Sequence, residues 1–169
     1  METTAPAKTA LEIRRARVKP EWIDYNGHLN VAYYVLAFDE AFDDFMDLIG
    51  FDAAFRESSG HSVFSLELHM TYLREVTEGE PLRFTFQLLG HDAKRLHYLM
   101  RMHHAESGLH LSSCEGICAN IDMAARRSAA MRPEILERVA AIAADHAGLP
   151  RPEEVGHVIG LPRQRGGAS

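Results

Sequence analysis

Residues 30–49 begin Asn30-Val31-Ala32-Tyr33-Tyr34-Val35-Leu36-Ala37-Phe38 and close on Phe45-Met46-Asp47-Leu48-Ile49. Within them Val31, Val35, Phe38, Phe42, Phe45 and Ile49 recur at alternating spacings of four and three, the period of one helix face. The spacing predicts a helix over 31–49, with Asn30 as its N-cap and Gly50 as its stop. Asp39, Glu40, Asp43, Asp44 and Asp47 fall on the other faces. Carboxylates four apart repel by roughly a few tenths of a kcal/mol on an exposed helix. No histidine lies among them, so the expectation is a solvated acidic face and no metal site.

Outward from this helix the period changes to two. Phe64, Leu66, Leu68, Met70 and Tyr72 alternate with Ser65, Glu67, His69 and Thr71. Leu82, Phe84, Phe86 and Leu88 form a second alternating run, and Leu96, Tyr98, Met100 and Met102 a third. Residues 111–122 make a fourth strand with a mixed pattern. Turn-like separators stand at 78–80, 90–94 and 106–108. Before the helix, residues 11–18 read as a strand ended by Lys19-Pro20. After the strands, residues 133–146 read as a second helix with Pro133 in its first turn. The pattern predicts an α+β unit over 11–147: a four-strand antiparallel meander whose one apolar face is covered by the long helix. Residues 1–10 read as a disordered arm, and 148–169 as an extended tail.

The chain has 169 residues, 46% hydrophobic and 25% charged, with a formal net charge of −6. That balance argues against sequence-independent nucleic-acid binding, which needs excess Lys and Arg. No apolar run approaches the ~18–20 residues that span a bilayer, and the N-terminus lacks the build of a signal peptide. Cys114 and Cys118 are too few for a disulfide framework, and they read as buried thiols of a cytoplasmic protein.

The stretch that carries chemistry is Asp24-Tyr25-Asn26-Gly27-His28-Leu29-Asn30, at the mouth of the helix. It sets a carboxylate, a carboxamide and an imidazole at alternate positions beside helix-terminal amides. Such groups can activate water and stabilise an oxyanion. The same residue types also shape turns and cap helices, and residue chemistry alone leaves both readings open.

The element order of strand, loop, long helix and four strands resembles the hotdog fold. The Asp24–Asn30 stretch resembles the active-site loop of hotdog thioesterases of the 4-hydroxybenzoyl-CoA thioesterase type. It is also similar to the Asp-x-Asn-x-His motif of plant acyl-ACP thioesterases. Three segments together, residues 22–28, Ser59-Gly60-His61-Ser62 and Lys94-Arg95-Leu96-His97, resemble the thioesterase domain fused to some bacterial carnitine dehydrogenases, and stand-alone betainyl-CoA thioesterases.

The resemblance implies an acyl-CoA thioesterase whose Asp24 is base or nucleophile, with Asn26 orienting water or carbonyl and His28 assisting. Amides at about 31–33 would bind the oxyanion, and Gly27 would let the loop backbone approach the substrate closely. Trp22, Tyr25, Tyr33, Tyr34 and Phe64 are candidates for the acyl pocket, either as core packing or as a cage for a trimethylammonium group. Glu67 and His69 stand opposite the apolar positions of their strand, facing solvent or a second subunit unless a bulge turns them inward. The other histidines (His91, His97, His103, His104, His110) read as polar strand or loop positions, and no metal-binding spacing appears. Lys94, Arg95, Arg126 and Arg127 are candidates for the phosphates of coenzyme A, which serves as substrate rather than cofactor. The resemblance also implies a homodimer or homotetramer with the site at the dimer interface. The rival readings are a hotdog hydratase or dehydratase and a non-catalytic acyl-CoA-binding module.

Overall fold

The computed structural model describes residues 9–161. Most of the expected N-terminal arm, and the tail beyond 161, lie outside them. Strand β1 (Leu11–Arg17) is followed by one 3-10 turn at Pro20–Trp22, helix α1 (Val31–Leu48) and a short helix α2 (Ala53–Ser59). Then come β2 (His61–Tyr72), β3 (Pro81–His91), β4 (Arg95–His104), β5 (His110–Asp122), the two-residue β6 (Arg127–Ser128) and α3 (Pro133–His146). The expected elements are all present. Helix α2 and β6 were not anticipated. The former is bounded by Asp52, whose side chain caps Phe55 N, and by Gly60 in the left-handed region, a legible pair of helix limits.

The strand order is β1-β3-β4-β5-β2, antiparallel throughout. This corrects the four-strand meander: only β3, β4 and β5 follow one another. The link after β2 is no tight turn. Leu29 N donates to Val76 O at 2.8 Å and Val76 is fully buried, so this segment runs past the start of α1 and carries the chain to the far side of the sheet.

Helix α1 lies on the inner face of the sheet. Phe45 stacks on Phe86 at 3.7 Å, Phe86 on Tyr98 at 5.4 Å and Tyr98 on Phe42 at 4.8 Å. Phe38 meets Phe84 edge-on at 5.5 Å. Such pairs add about 0.5–1.5 kcal/mol each beyond their burial. The Tyr98 ring covers Gly116, where a Cβ would lie 2.5 Å from the hydroxyl oxygen. The far end of α1 is closed by α3, whose Arg138 Nη1 donates to Ile49 O at 2.9 Å.

Two details of the expected core face are corrected. Val31 and Val35 are 59% and 37% exposed, while Tyr34, Ala37 and Ala41 are buried. The buried stripe has drifted toward Tyr34, Ala37 and Ala41, and Val35 borders the cleft between α1 and β2. On β2, a bulge between Ser65 and Glu67 breaks the alternation. Ser65, Leu68 and Met70 line the inner cleft with Phe38 and Phe42, whereas Glu67 and His69 line a groove on the outer face. Phe64, adjacent to Ser65, therefore shares the outer face with Glu67, not the inner face with Leu68.

Candidate active site

The loop before α1 is tied at both ends. Ile23 bridges Leu29, and Asp24 N donates to His28 O at 2.9 Å. Inside that closure Gly27 N donates to Asp24 O at 3.0 Å, with Gly27 at φ 78°, a conformation glycine adopts without a Cβ penalty. Asp24 Oδ1 accepts from Asn26 N at 2.8 Å. The expected turn-forming role of Asp24 is thus real, yet it uses one carboxylate oxygen only. No cation pairs with this carboxylate among the described residues. The Asn26 side chain is exposed. His28 Nε2 lies 3.2 Å from Glu75 Oε2. Glu75 was missed because it is brought in from the link after β2, and nothing near it in sequence marks it.

Asn30 caps α1 as expected: its side chain accepts from Ala32 N at 2.9 Å, and its carbonyl accepts from Tyr33 N at 2.9 Å. Of the three amides proposed for an oxyanion, those of Ala32 and Tyr33 are therefore engaged. The Val31 amide donates to no group among the described residues, and Val31 is exposed. Of the three amides, Val31 N alone is left without an acceptor among the described residues, at the start of the helix into which the Asp24 loop leads.

The aromatic residues do not form an open cage in one chain. Trp22 is buried, stacked on Tyr33 at 6.0 Å with Lys19 Nζ 4.8 Å from its ring. Tyr34 is buried, edge-on to Tyr72 at 5.1 Å, and donates to Arg74 O at 3.2 Å. Phe64 is on the opposite face of the sheet. Only Tyr25, 95% exposed, and the half-buried Tyr33 remain by the loop. The reason is the drifted helix stripe together with the bulge.

The four basic candidates gather at the other end of the sheet. Asn120 N donates to Lys94 O at 2.8 Å, and Arg95 pairs with Ala119. Arg127 pairs with Asp122, and Asp122 lies opposite His61 at the start of β2. The Asp24 loop instead packs beyond the end of β2. With strands of 10–13 residues, the two ends are roughly 30 Å apart. Arg95 is moreover engaged by Asp92 at 2.6 and 2.9 Å, which holds that carboxyl down at about 2.

Glu67 is likewise remote from the loop. It shares the outer groove with His69, His97 and Glu115, and His97 Nε2 lies 2.8 Å from Glu115 Oε1. Cys114 and Cys118 are buried free thiols, each pushed up to about 12 by burial, hence unreactive near neutrality. Among the described residues no cluster of His, Cys, Asp and Glu could hold a metal ion, and no helix is long and apolar enough to cross a membrane.

A family model described as the thioesterase-like superfamily matches residues 18–139. A betainyl-CoA thioesterase of Pseudomonas aeruginosa is 47% identical over 148 residues, 88% of this chain and 93% of that protein. A longer Rhizobium meliloti protein, an L-carnitine dehydrogenase/betainyl-CoA thioesterase, is 34% identical over 93% of this chain and 32% of its own length. A Staphylococcus aureus protein solved in complex with CoA superposes with a TM-score of 0.85 and 28% identity, over 94% of this chain and all of that one.

Proposed function

We propose that this chain, which belongs to the thioesterase-like superfamily, hydrolyses a small acyl-CoA thioester, with betainyl-CoA as the acyl donor. The observation that carries the reading is the half-satisfied Asp24 carboxylate in the closed loop that leads into α1, whose first amide is free among the described residues. The unbonded oxygen of Asp24 takes a proton from water as the water oxygen adds to the thioester carbon. The carbonyl oxygen gains charge and is held by Val31 N. The C–S bond then breaks, and CoA leaves as the thiol after protonation. His28, paired with Glu75, stands beside this step, and the Asn26 carboxamide orients water or carbonyl. The betainyl assignment is supported by the 47% identical relative of that name. The acyl carrier is read as CoA because a CoA-bound neighbour shares the fold.

The site is completed by a second copy of the chain. Strand β2 ends the sheet on one side, and its backbone edge there is unpaired among the described residues. Exposed apolar residues line it: Leu68, Tyr72 and Leu73 on β2 and its exit, Val35 and Leu36 on the adjoining flank of α1. An edge of this kind invites strand pairing. Antiparallel pairing of two β2 strands reverses one sheet end for end. It brings the Lys94 and Arg126–Arg127 turns of one copy beside the Asp24 loop of the other, which resolves their separation within one chain. The phosphates of CoA then meet basic groups of one copy while the thioester meets Asp24 of the other.

The test is release of free thiol from betainyl-, short aliphatic and aromatic acyl-CoA by the wild type and by Asp24→Asn. Turnover of betainyl-CoA that falls about 10³-fold in the variant is expected. Equal turnover in both proteins removes Asp24 from the mechanism. No thiol release from any thioester, with acyl-CoA still bound, replaces the hydrolase with a binding module.

A further inference from the structure

After α3 the chain crosses the outer face of the sheet, touching the strands in their spatial order. Gln87 of β3 donates to Pro150 O at 3.1 Å. Arg101 of β4 donates twice to the Glu154 carboxylate, both at 2.8 Å. On β5, Ser113 donates to the same carboxylate at 3.3 Å, and Glu115 accepts from Gly156 N at 2.7 Å. The His157 ring stacks on His69 of β2 at 5.6 Å. From Pro150 to His157 the strap thus spans three strand spacings of about 4.8 Å, an advance of roughly 2 Å per residue. It arrives at the bare edge of the sheet. Beyond it, Val158, Ile159 and Leu161 are 84%, 83% and 95% exposed.

We propose that residues 158–161 are an arm that crosses onto the outer face of a second copy of this chain and packs against Phe64 there. The inference rests on the β2 pairing proposed above and adds a contact that the pairing alone does not require. Reach supports it: four more residues at the same advance cover about 8 Å, enough to lie over the first strand of a paired sheet. Register supports it independently. When strand 61–72 meets its own copy antiparallel in full overlap, residue 69 lies opposite residue 64. Directly opposed residues share a face, and the bulge at Leu66 makes this consistent. Outer positions are even-numbered before the bulge, at Phe64, and odd-numbered after it, at Glu67 and His69. The strap therefore leaves the first copy at His69, opposite Phe64 of the second. Composition agrees as well. Phe64 and Leu66 are 41% and 56% exposed, an apolar landing for an apolar arm.

Two measurements on the full-length chain test this. The first is the dimer dissociation constant by sedimentation equilibrium, for the wild type and for a variant with Val158→Ser, Ile159→Ser and Leu161→Ser together. A tenfold or greater weakening is expected, and no additional weakening when the same changes are made in a Phe64→Ala background. The second is disulfide cross-linking after mixing Ile159→Cys chains with Phe64→Cys chains, which should give a linked heterodimer. An unchanged dissociation constant with no cross-link in the mixture overturns the arm while leaving the pairing in place. A linked monomer from a chain carrying both cysteines places the arm on its own strand and also overturns it. A wild type that stays monomeric at every concentration removes the β2 pairing itself.

Discussion

Two acidic turns stand at opposite ends of the sheet, and they differ in what their carboxylates are left to do. Asp92 accepts Lys94 N and Arg95 N on one oxygen, both at 2.8 Å, and the Arg95 guanidinium on the other. Asp24 accepts a single amide on one oxygen. The backbone motif is nearly the same, an aspartate folding the chain back onto its own next amides. A carboxylate held by two amides and a guanidinium is a structural clamp. One that keeps a bare oxygen, in the loop that leads into a helix, is left free to act as a reagent. The difference is set by one position: Arg95 follows Asp92 at three residues, where Gly27 follows Asp24.

The largest expected effect is Asp24→Asn. It preserves the acceptor for Asn26 N, so the thermal melt should be unchanged while kcat falls about 10³-fold, or ~4 kcal/mol of activation free energy. Equal losses of stability and activity would make Asp24 a clamp like Asp92 and erase the contrast. Next, Lys94→Ala with Arg126→Ala should raise KM for the CoA thioester about tenfold with little change in kcat, and should flatten its salt dependence. A kcat effect without a KM effect would remove these turns from the CoA tail. Asn30→Ala should lower stability by about 1 kcal/mol through the lost cap. By loosening the first turn that holds Val31 N it should also lower kcat several-fold, read from steady-state kinetics beside a urea melt.

The smallest effect is at the saturated turn. Asp92 is strongly exposed, so Asp92→Asn should cost less than about 1 kcal/mol. The sign of its pH dependence follows from the Arg95 hydrogen bonds that lower its folded pKa to about 2. The stabilisation is complete above the ordinary carboxylate range near pH 4 and is lost as pH falls toward 2. Melting temperatures of wild type and variant should therefore converge at about pH 2 and differ most near neutrality. A gap that persisted in acid would mean the turn is held by something other than this ion pair.

Much of this was legible from residue order. The 3.6-residue period of α1, the period of two in β2 to β4 and the Pro133 start of α3 are local signals. They placed those elements to within about three residues of their observed ends, the expected turn at 90–94 giving up Gly90 and His91 to β3. The Asp24 loop was legible for the same reason, since its hydrogen bonds close within seven residues. Three things were not. Strand β2 pairs with β5 rather than β3, a choice made by contacts some 50 residues apart. The bulge at Leu66 reverses which residues share a face, and an unbroken alternation of apolar and polar residues gave no sign of it. The distance between the Asp24 loop and the basic turns depends on strand direction, which residue types do not encode. Phe64 was misplaced by the bulge and the basic turns lie far from the loop within one chain, whereas Glu67 faces outward as its alternation indicated and Trp22 and Tyr34 are core.

The strand order also dictates a timetable. Strand β2 leaves the ribosome as a finished segment roughly 50 residues before β5, its only sheet neighbour among the described residues, has been made. At synthesis rates of about 5–20 residues per second that interval is some 3–10 s. For that time a twelve-residue strand rich in Phe, Leu and Met has both backbone edges open. Nascent-chain aggregation, and dependence on chaperones during synthesis, should therefore centre on this strand.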